Sequence, residues 1–445
     1  MTSRHLARFA ARSRWEDVPE AARHEARRSL LNLVGTALGG SADAAARRTA
    51  ATLLPFSGTA EATIIGRAER ADCMTAAFLN ALAGNVFDFD DTHPETIIHP
   101  SAPVAPPLLA LAERRPMTGR DLLHAFVLGV EVECRIGNAI SPQHYKRGWH
   151  ITSTCGVFGA AAAVGRAIGL DEERMLWALG SAAAQASGLV ETLGFMAKST
   201  GVGHSARGGL LAALLAENGV EGPERPLEGP RGFVTVTGDG PDLSRLTEGL
   251  GETWEIAKNN CKPYPAGVVL NSVIDGCLAL RAAEPDIART AAAIVVMGHP
   301  LLRERADRPA VTTGREAQVS AQHAVAVALL DGAAGVREFA DERVAAADVL
   351  ALRSKVTVRD APGIPVEGAR LEVTLESGRT IVETVAAARG SAARPLSDDE
   401  LEAKFRTLAA HGCPGFDPAP LIAALWSIED APDAAAVARL AAYGP

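Results

Sequence analysis

Lys262-Pro-Tyr264-Pro265 marks the point where the chain changes character. Upstream of it, apolar residues recur at helical spacing over 19–38, 71–87, 103–114, 119–141, 153–169, 171–189 and 208–218, and strand signals are nearly absent. Downstream, β-favouring runs occupy 290–297, 355–359, 371–375 and 380–385, the last two joined by a turn at Gly378. Arg370-Leu-Glu-Val-Thr-Leu375 alternates apolar and polar residues, as a half-buried antiparallel strand does. Helical stretches at 317–330 and 340–351 intervene, so this part reads as α+β. From Leu396 the pattern is helical again, and Ser397 precedes Glu400 by the spacing of a capping box. The expected architecture is mainly α with an inserted α+β domain. Residues 1–264 and 395–445 are expected to build an all-helical domain from both chain ends, with 265–394 as a smaller α+β domain.

Composition narrows the function. The chain has 445 residues, 47% hydrophobic and 22% charged, enough for two or three domains around a large core. Aromatic residues make up only 4%, which disfavours a large aromatic-walled pocket and points to a small, polar ligand. The net charge of −9, with no lysine- or arginine-rich run, excludes nucleic acid as the expected partner. Cys73, Cys134, Cys155, Cys261, Cys277 and Cys413 show neither Cys-x-x-Cys pairs nor zinc-like spacing, and read as buried free thiols of a reducing compartment. Arg4, Arg8, Arg12 and Arg14 are followed at once by Glu16, Asp17 and Glu20, so they read as part of a helix and not as a transit peptide. The longest apolar stretch, over 155–165, is too short for a membrane span, which needs about 20 residues. A cytoplasmic protein without a membrane partner is expected.

Chemistry concentrates between Asn85 and Ser101, where Asp88, Asp90, Asp91, His93, Glu95 and His99 crowd one short stretch. Proline follows both His93 and His99, pushing each histidine out of helical geometry to the edge of a loop. Three further places set a cation or histidine beside glycine or proline: Arg147-Gly-Trp-His150, Ala197-Lys198-Ser-Thr-Gly-Val-Gly203 and Lys262-Pro-Tyr264-Pro265. A helix starting near Ser153 would aim its amides at whatever His150 approaches, which favours an anion there. His99, His150, Lys198 and Lys262 thus form a positive set in a negative protein. Such a set suits a substrate with two or more carboxylates and can stabilise an enediolate formed beside one of them.

The chain has no Gly-x-x-x-x-Gly-Lys-Ser/Thr loop, and Gly201-Val-Gly203 lacks the preceding strand of a dinucleotide fingerprint, so neither ATP nor NAD is expected. Asp90-Asp91-Thr-His-Pro-Glu95 resembles an acidic magnesium motif of terpene-type synthases, but the low aromatic content argues against a carbocation pocket. No metal is expected. The bland alternatives are that Asp90 or Asp91 caps a helix, that His150 is a packed histidine, and that Lys198 and Lys262 are solvated. His204, Cys155 and Trp149 are assigned to packing.

Taken together and in order, these segments resemble the MmgE/PrpD family. The matching stretches are Asp88-Phe-Asp-Asp-Thr92 with His99-Pro-Ser, Gly148-Trp-His150 before Gly-x-x-Gly-Ala-Ala-Ala, Lys198 ahead of Gly208-Gly-Leu-Leu-Ala-Ala, Lys262-Pro-Tyr-Pro, and Pro395-Leu-Ser-Asp-Asp-Glu-Leu-x-x-Lys-Phe405. The family includes 2-methylcitrate dehydratase, cis-aconitate decarboxylase and iminodisuccinate epimerase. The resemblance implies a cofactor-free site between two domains, a homodimer, and site positions at Asp88, Thr92, His99, His150, Lys198 and Lys262. Two departures stand out: Asn271 occupies a place where family members often carry histidine, and Arg305 a place where the decarboxylase branch has tyrosine.

The shared chemistry is a carbanion beside a carboxylate. Asp88, His99, His150, Lys198 and Lys262 are the expected catalytic residues, with His150 or His99 moving the proton, Asp88 assisting, and the lysines holding carboxylates. Thr92, Tyr264, Arg305 and His323 are expected to bind substrate. Dehydration of a 2-methylcitrate-like hydroxy acid is the first expectation. Epimerisation of an iminodisuccinate-like dicarboxylate, cis-aconitate-type decarboxylation and simple carboxylate binding are the alternatives.

Overall fold

The computed structural model describes residues 2–444. Seven long helices form the body of the first part: α1 (Glu20–Gly40), α2 (Cys73–Asn85), α3 (Ser101–Ala112), α4 (Gly119–Ile140), α5 (Ile151–Ala167), α6 (Glu172–Ala183) and α7 (Ala197–Glu217). α5 lies at their centre with every residue from Ile151 to Gly165 buried, because its Gly/Ala-rich surface admits neighbouring backbones closely. A Cβ added at Gly129 of α4 would stand 2.7 Å from the Gly159 carbonyl oxygen of α5, so glycine is what lets these two helices touch.

The β-rich part contains α8 (Asn271–Ala283), β1 (Ala291–Gly298), α9 (Ala321–Asp331), β2 (Val356–Asp360), β3 (Ala369–Leu375) and β4 (Thr380–Val385). The strands make one sheet in the order β2-β1-β3-β4, with β1 and β2 parallel and the other pairs antiparallel. All four strands fall where the sequence pattern puts them. On β3, Ala369, Leu371, Val373 and Leu375 are buried while the residues between them are more open, the period of two that the alternation requires. The fold is mostly helical with a smaller α+β content.

Buried apolar residues fall into two clusters. One runs from Leu6 to Cys261 and takes in Leu396 to Ala441, while the other spans Tyr264 to Leu375. α10 (Asp398–Gly412) begins with the expected capping box of Ser397 and Glu400. Arg28 of α1 holds its start, donating to the Leu396 carbonyl at 2.6 Å and pairing with Asp398. Asp91 and Thr92 pair antiparallel with Cys261 and Asn260, so the acidic loop and the Lys262 turn are stitched side by side.

Two local expectations need correction. α7 begins at Ala197, not near residue 208, so Lys198 sits in its first turn. The stretch 340–351 is not one helix but two short ones, Asp341–Val344 and Ala347–Arg353.

Candidate active site

The acidic loop leaves α2 through Asp88, whose φ of +52° is a left-handed geometry that aspartate tolerates better than most side chains. That turn places its carboxylate between two ammonium groups. Lys262 Nζ donates to Asp88 Oδ2 at 2.9 Å and to the Asp88 carbonyl at 3.0 Å, and Lys198 Nζ donates to Oδ1. Burial opposes ionisation of Asp88, but the charges of Lys198, Lys262 and His99 outweigh it and hold this carboxyl well below its usual range. Burial likewise opposes the Lys198 charge, and Asp88 and Asp90 more than offset it, so its pKa rises. The cluster is therefore a carboxylate held between two ammoniums.

His99 stands beside it. Its Nδ1 lies 2.8 Å from Asp90 Oδ1 and its Nε2 3.6 Å from Asp88 Oδ1. Asp90 is fixed in turn by Asn85, whose amide donates to Oδ2 at 2.8 Å. Burial opposes the Asp90 charge, but His99, Lys262 and Lys198 together outweigh it and lower its pKa, so Asp90 stays ionised and anchors the imidazole. His150 precedes α5, with Nδ1 2.7 Å from Ser153 Oγ. Burial, then the charges of Lys198 and His99, push its pKa down to about 3, so the imidazole is neutral. Asp91 takes the structural part: Ser101 at the start of α3 and Asn259 both donate to it, and burial lifts its carboxyl to about 6.

Asp88, Thr92, His99, His150, Lys198, Lys262 and Arg305 share the wall of one cavity of about 230 Å³ between the two hydrophobic clusters. A wider chamber of about 510 Å³ opens beside it, sharing Thr92, Tyr145, Lys262 and Arg305. Arg305 Nε has no hydrogen-bond partner among the described residues, and the guanidinium lies 5.5 Å over the Tyr145 ring.

Two expected ligands of the substrate are elsewhere. Tyr264 turns its hydroxyl into the second cluster, donating to Asp275 Oδ1 at 2.6 Å. His323 is fully buried in α9, where its Nε2 meets the Glu338 carbonyl at 2.9 Å and its ring packs edge-on to Phe339. Neither reaches the cavity wall, because the surrounding apolar residues of the second cluster enclose both side chains.

Sequence reading missed Tyr145 and Lys404. Nothing in the local pattern around Tyr145 marks it, whereas Lys404 lies in the Leu-x-x-Lys-Phe405 motif, where no neighbour in sequence shows what its ammonium meets. For metal ligation, Asp88, Asp90 and His99 bring ligand atoms within 4.8 Å of one another, and so do His93, Glu95 and Glu255. In the first group the Asp88 oxygens already face two ammoniums, and in the second Glu255 already accepts from Lys258 at 3.1 Å. Each set thus meets a resident cation.

These features define a helical protein with an α+β part and a lysine-clamped carboxylate in the cavity between their cores. Family models match as the MmgE/PrpD N-terminal domain over residues 4–246 and the MmgE/PrpD C-terminal domain over 264–416. The chain belongs to the MmgE/PrpD family. It is 30% identical to the cis-aconitate decarboxylase of Homo sapiens over 82% of this chain and 78% of that protein. It is 29% identical to the Mus musculus enzyme of the same name, covering 86% and 82%. The Aspergillus terreus cis-aconitate decarboxylase is 26% identical, covering 91% and 88%. Among the described residues no helix is long and apolar enough to cross a membrane.

Proposed function

We propose that this chain is a lyase acting on a small polycarboxylate, and that it works by generating a carbanion beside a carboxylate. The observation that carries the reading is the Asp88 carboxylate clamped by Lys198 and Lys262 at a wall shared with His99, His150 and Arg305. At the cavity wall Lys198, Lys262, Arg305 and Arg308 stand against Asp88 and Glu304, so cations outnumber carboxylates and a substrate with two or more carboxylates finds counter-charges here. As electrons collect on the enediolate, fixed ammoniums stabilise it without reorganising.

Decarboxylation of a cis-aconitate-like unsaturated acid is the reading that the relatives support. The bond to one carboxylate breaks, carbon dioxide leaves, and the electron pair is delocalised toward a neighbouring carboxylate. A proton delivered to carbon by His99 or a group beside it completes the product. Dehydration of a 2-methylcitrate-like hydroxy acid is the second reading. It is favoured by two imidazoles, His99 and His150, at one cavity wall, since elimination needs one group to take a proton and another to give one to the leaving hydroxyl. A cytoplasmic homodimer belongs to the same proposal, by family likeness.

Proton NMR in deuterium oxide decides between these readings, with purified protein and cis-aconitate, citrate, 2-methylcitrate and iminodisuccinate offered separately. Decarboxylation gives a deuterated product with one carboxylate fewer. An alkene arising from citrate or 2-methylcitrate establishes the dehydratase. Exchange of a C–H without a new product would replace the lyase with an epimerase. Binding of these acids with neither exchange nor product would leave only a carboxylate-binding protein.

A further inference from the structure

The chain has three tyrosines, and two of them spend their hydroxyls on the fold: Tyr264 donates to Asp275 Oδ1 at 2.6 Å and Tyr443 to the Pro414 carbonyl at 2.7 Å. Tyr145 does not. Its side chain lines both the inner cavity of about 230 Å³ and the wider chamber of about 510 Å³. Among the described residues its hydroxyl has no protein partner, and it is not one of the unpaired polar atoms sealed from solvent. A phenol neither bonded nor enclosed is open to whatever fills the cavity.

The turn that carries it is held firmly. Tyr145 lies on a short helix, Gln143–Lys146, beside His144, which is buried with its Nε2 2.8 Å from Thr154 Oγ1 of α5 and its ring stacked on Trp149. The Tyr145 carbonyl accepts from the Gly148 N–H at 2.9 Å, two residues before His150. From the α+β part, Arg305 lays its guanidinium over the ring. The charged groups that reach the phenol are Arg305 and Arg308, Lys198 of α7 and Asp88 of the acidic loop. Burial, aided by Asp88, raises its pKa against the three cations, so the phenol keeps its proton at neutral pH. Other groups on the inner wall are less free to give a proton. His150 is neutral and suited to accepting one, Lys198 and Lys262 are held against Asp88, and the two nitrogens of His99 face Asp90 and Asp88.

We propose that Tyr145 is the catalytic acid of the lyase reaction, its phenol giving the proton that completes the product. The inference rests on the lyase reading. In decarboxylation, the bond to one carboxylate breaks, carbon dioxide leaves, and the electron pair left on the enediolate takes the phenol proton: a C–H bond forms and the O–H bond breaks. The phenolate that remains lies near Lys198 and Arg305, and solvent returns its proton through the wider chamber. In a dehydration the same proton goes to the departing hydroxyl, which leaves as water.

The test uses the full chain and the acids of the NMR panel, with calorimetric binding of the unreactive propane-1,2,3-tricarboxylate and Tm followed in parallel. Tyr145→Phe keeps the ring under Arg305 and removes only the hydroxyl, so kcat should fall by about 10²–10⁴ while affinity and Tm stay near the wild-type values. Replacement of Tyr145 by 3-fluorotyrosine, nearly equal in size and more acidic, should retain turnover and move the alkaline limb of the kcat profile to lower pH. Wild-type kcat in Tyr145→Phe overturns the assignment, as does a loss of kcat matched by an equal loss of affinity, or an alkaline limb that the fluorinated side chain leaves in place. If the wild-type protein consumes none of the acids, the lyase reading fails and the role of Tyr145 falls with it.

Discussion

The ammonium of Lys404 donates to the Phe89 carbonyl at 2.6 Å while lying 3.9 Å from the centroid of the Phe89 ring. The same nitrogen donates to Asn32 Oδ1 at 2.7 Å and to the Lys262 carbonyl at 2.8 Å. One side chain of α10 thus fixes the backbone next to Asp88 and the backbone of Lys262, the two ends of the clamp. Above about pH 7, Lys404→Met should cost about 1–3 kcal/mol, because three buried acceptors lose their amine donor, and should also lower turnover by loosening the clamp. Thermal unfolding and kcat measured together check this, and wild-type values of both would refute it.

Lys404 also sets a pH dependence. Burial draws its pKa down from 10.5 to about 7, against the pull of Cys261, Asp90 and Asp91. Between those two values the unfolded chain holds more protons than the folded one, so this group makes stability rise with pH from about 7 to 10.5. Below that window the cost of the buried charge is fully present. Lys404→Met should flatten this part of a profile of Tm against pH; an unchanged slope would show that another group is responsible.

Asp88 and Lys198 separate folding from chemistry. Asp88→Asn leaves the ammoniums of Lys198 and Lys262 buried and unneutralised, and loss of one partner of a buried pair costs about 3–5 kcal/mol. Lys198→Ala leaves the Asp88–Lys262 pair in place, so its Tm should stay near the wild-type value while kcat falls by about 10²–10⁴. Turnover by Lys198→Ala at the wild-type rate would remove Lys198 from the reaction.

The clamp shows how much of this molecule could be read in advance. The strands were visible because alternation survives in the sequence, and α10 because its cap is written locally in Ser397 and Glu400. The start of α7 was not, since Lys198-Ser-Thr-Gly-Val-Gly203 has weak helix propensity and is held by tertiary contacts such as Ser199 Oγ to Asn85 Oδ1 at 3.1 Å. Lys404 and Tyr145 were invisible as site neighbours for a related reason: each meets its partners only after distant segments pack. Tyr264 and His323 stood in a promising composition, but a sequence does not say which face a side chain takes.

His150 should behave as a neutral base across the working range. With a pKa near 3, set by burial and then by Lys198 and His99, it gives no acid limb near the ordinary histidine value of 6.5 in a kcat/KM profile. Its folded pKa lies below the unfolded one, so the stability it contributes is complete above about 6.5 and is lost as pH falls toward 3. NMR of the His150 ring, assigned by comparison with His150→Gln, should show the neutral form down to about pH 4. A midpoint near 6.5 would contradict the burial argument.

Arg305 tests where the substrate's second charge is held. Its guanidinium sits over Tyr145 at 5.5 Å, its Nε is unpartnered among the described residues, and it borders both cavities. A planar fork held in this way is shaped for a carboxylate. Arg305→Ala should raise KM for a tricarboxylate by about 10–100-fold, the equivalent of one charge-assisted contact, with a smaller change in kcat. Arg305→Lys restores the charge without the fork or the flat stacking face, so its KM should recover only in part. A KM in Arg305→Ala equal to that of the wild type would place the second carboxylate elsewhere, on the lysine clamp or on Arg308 of the same wall.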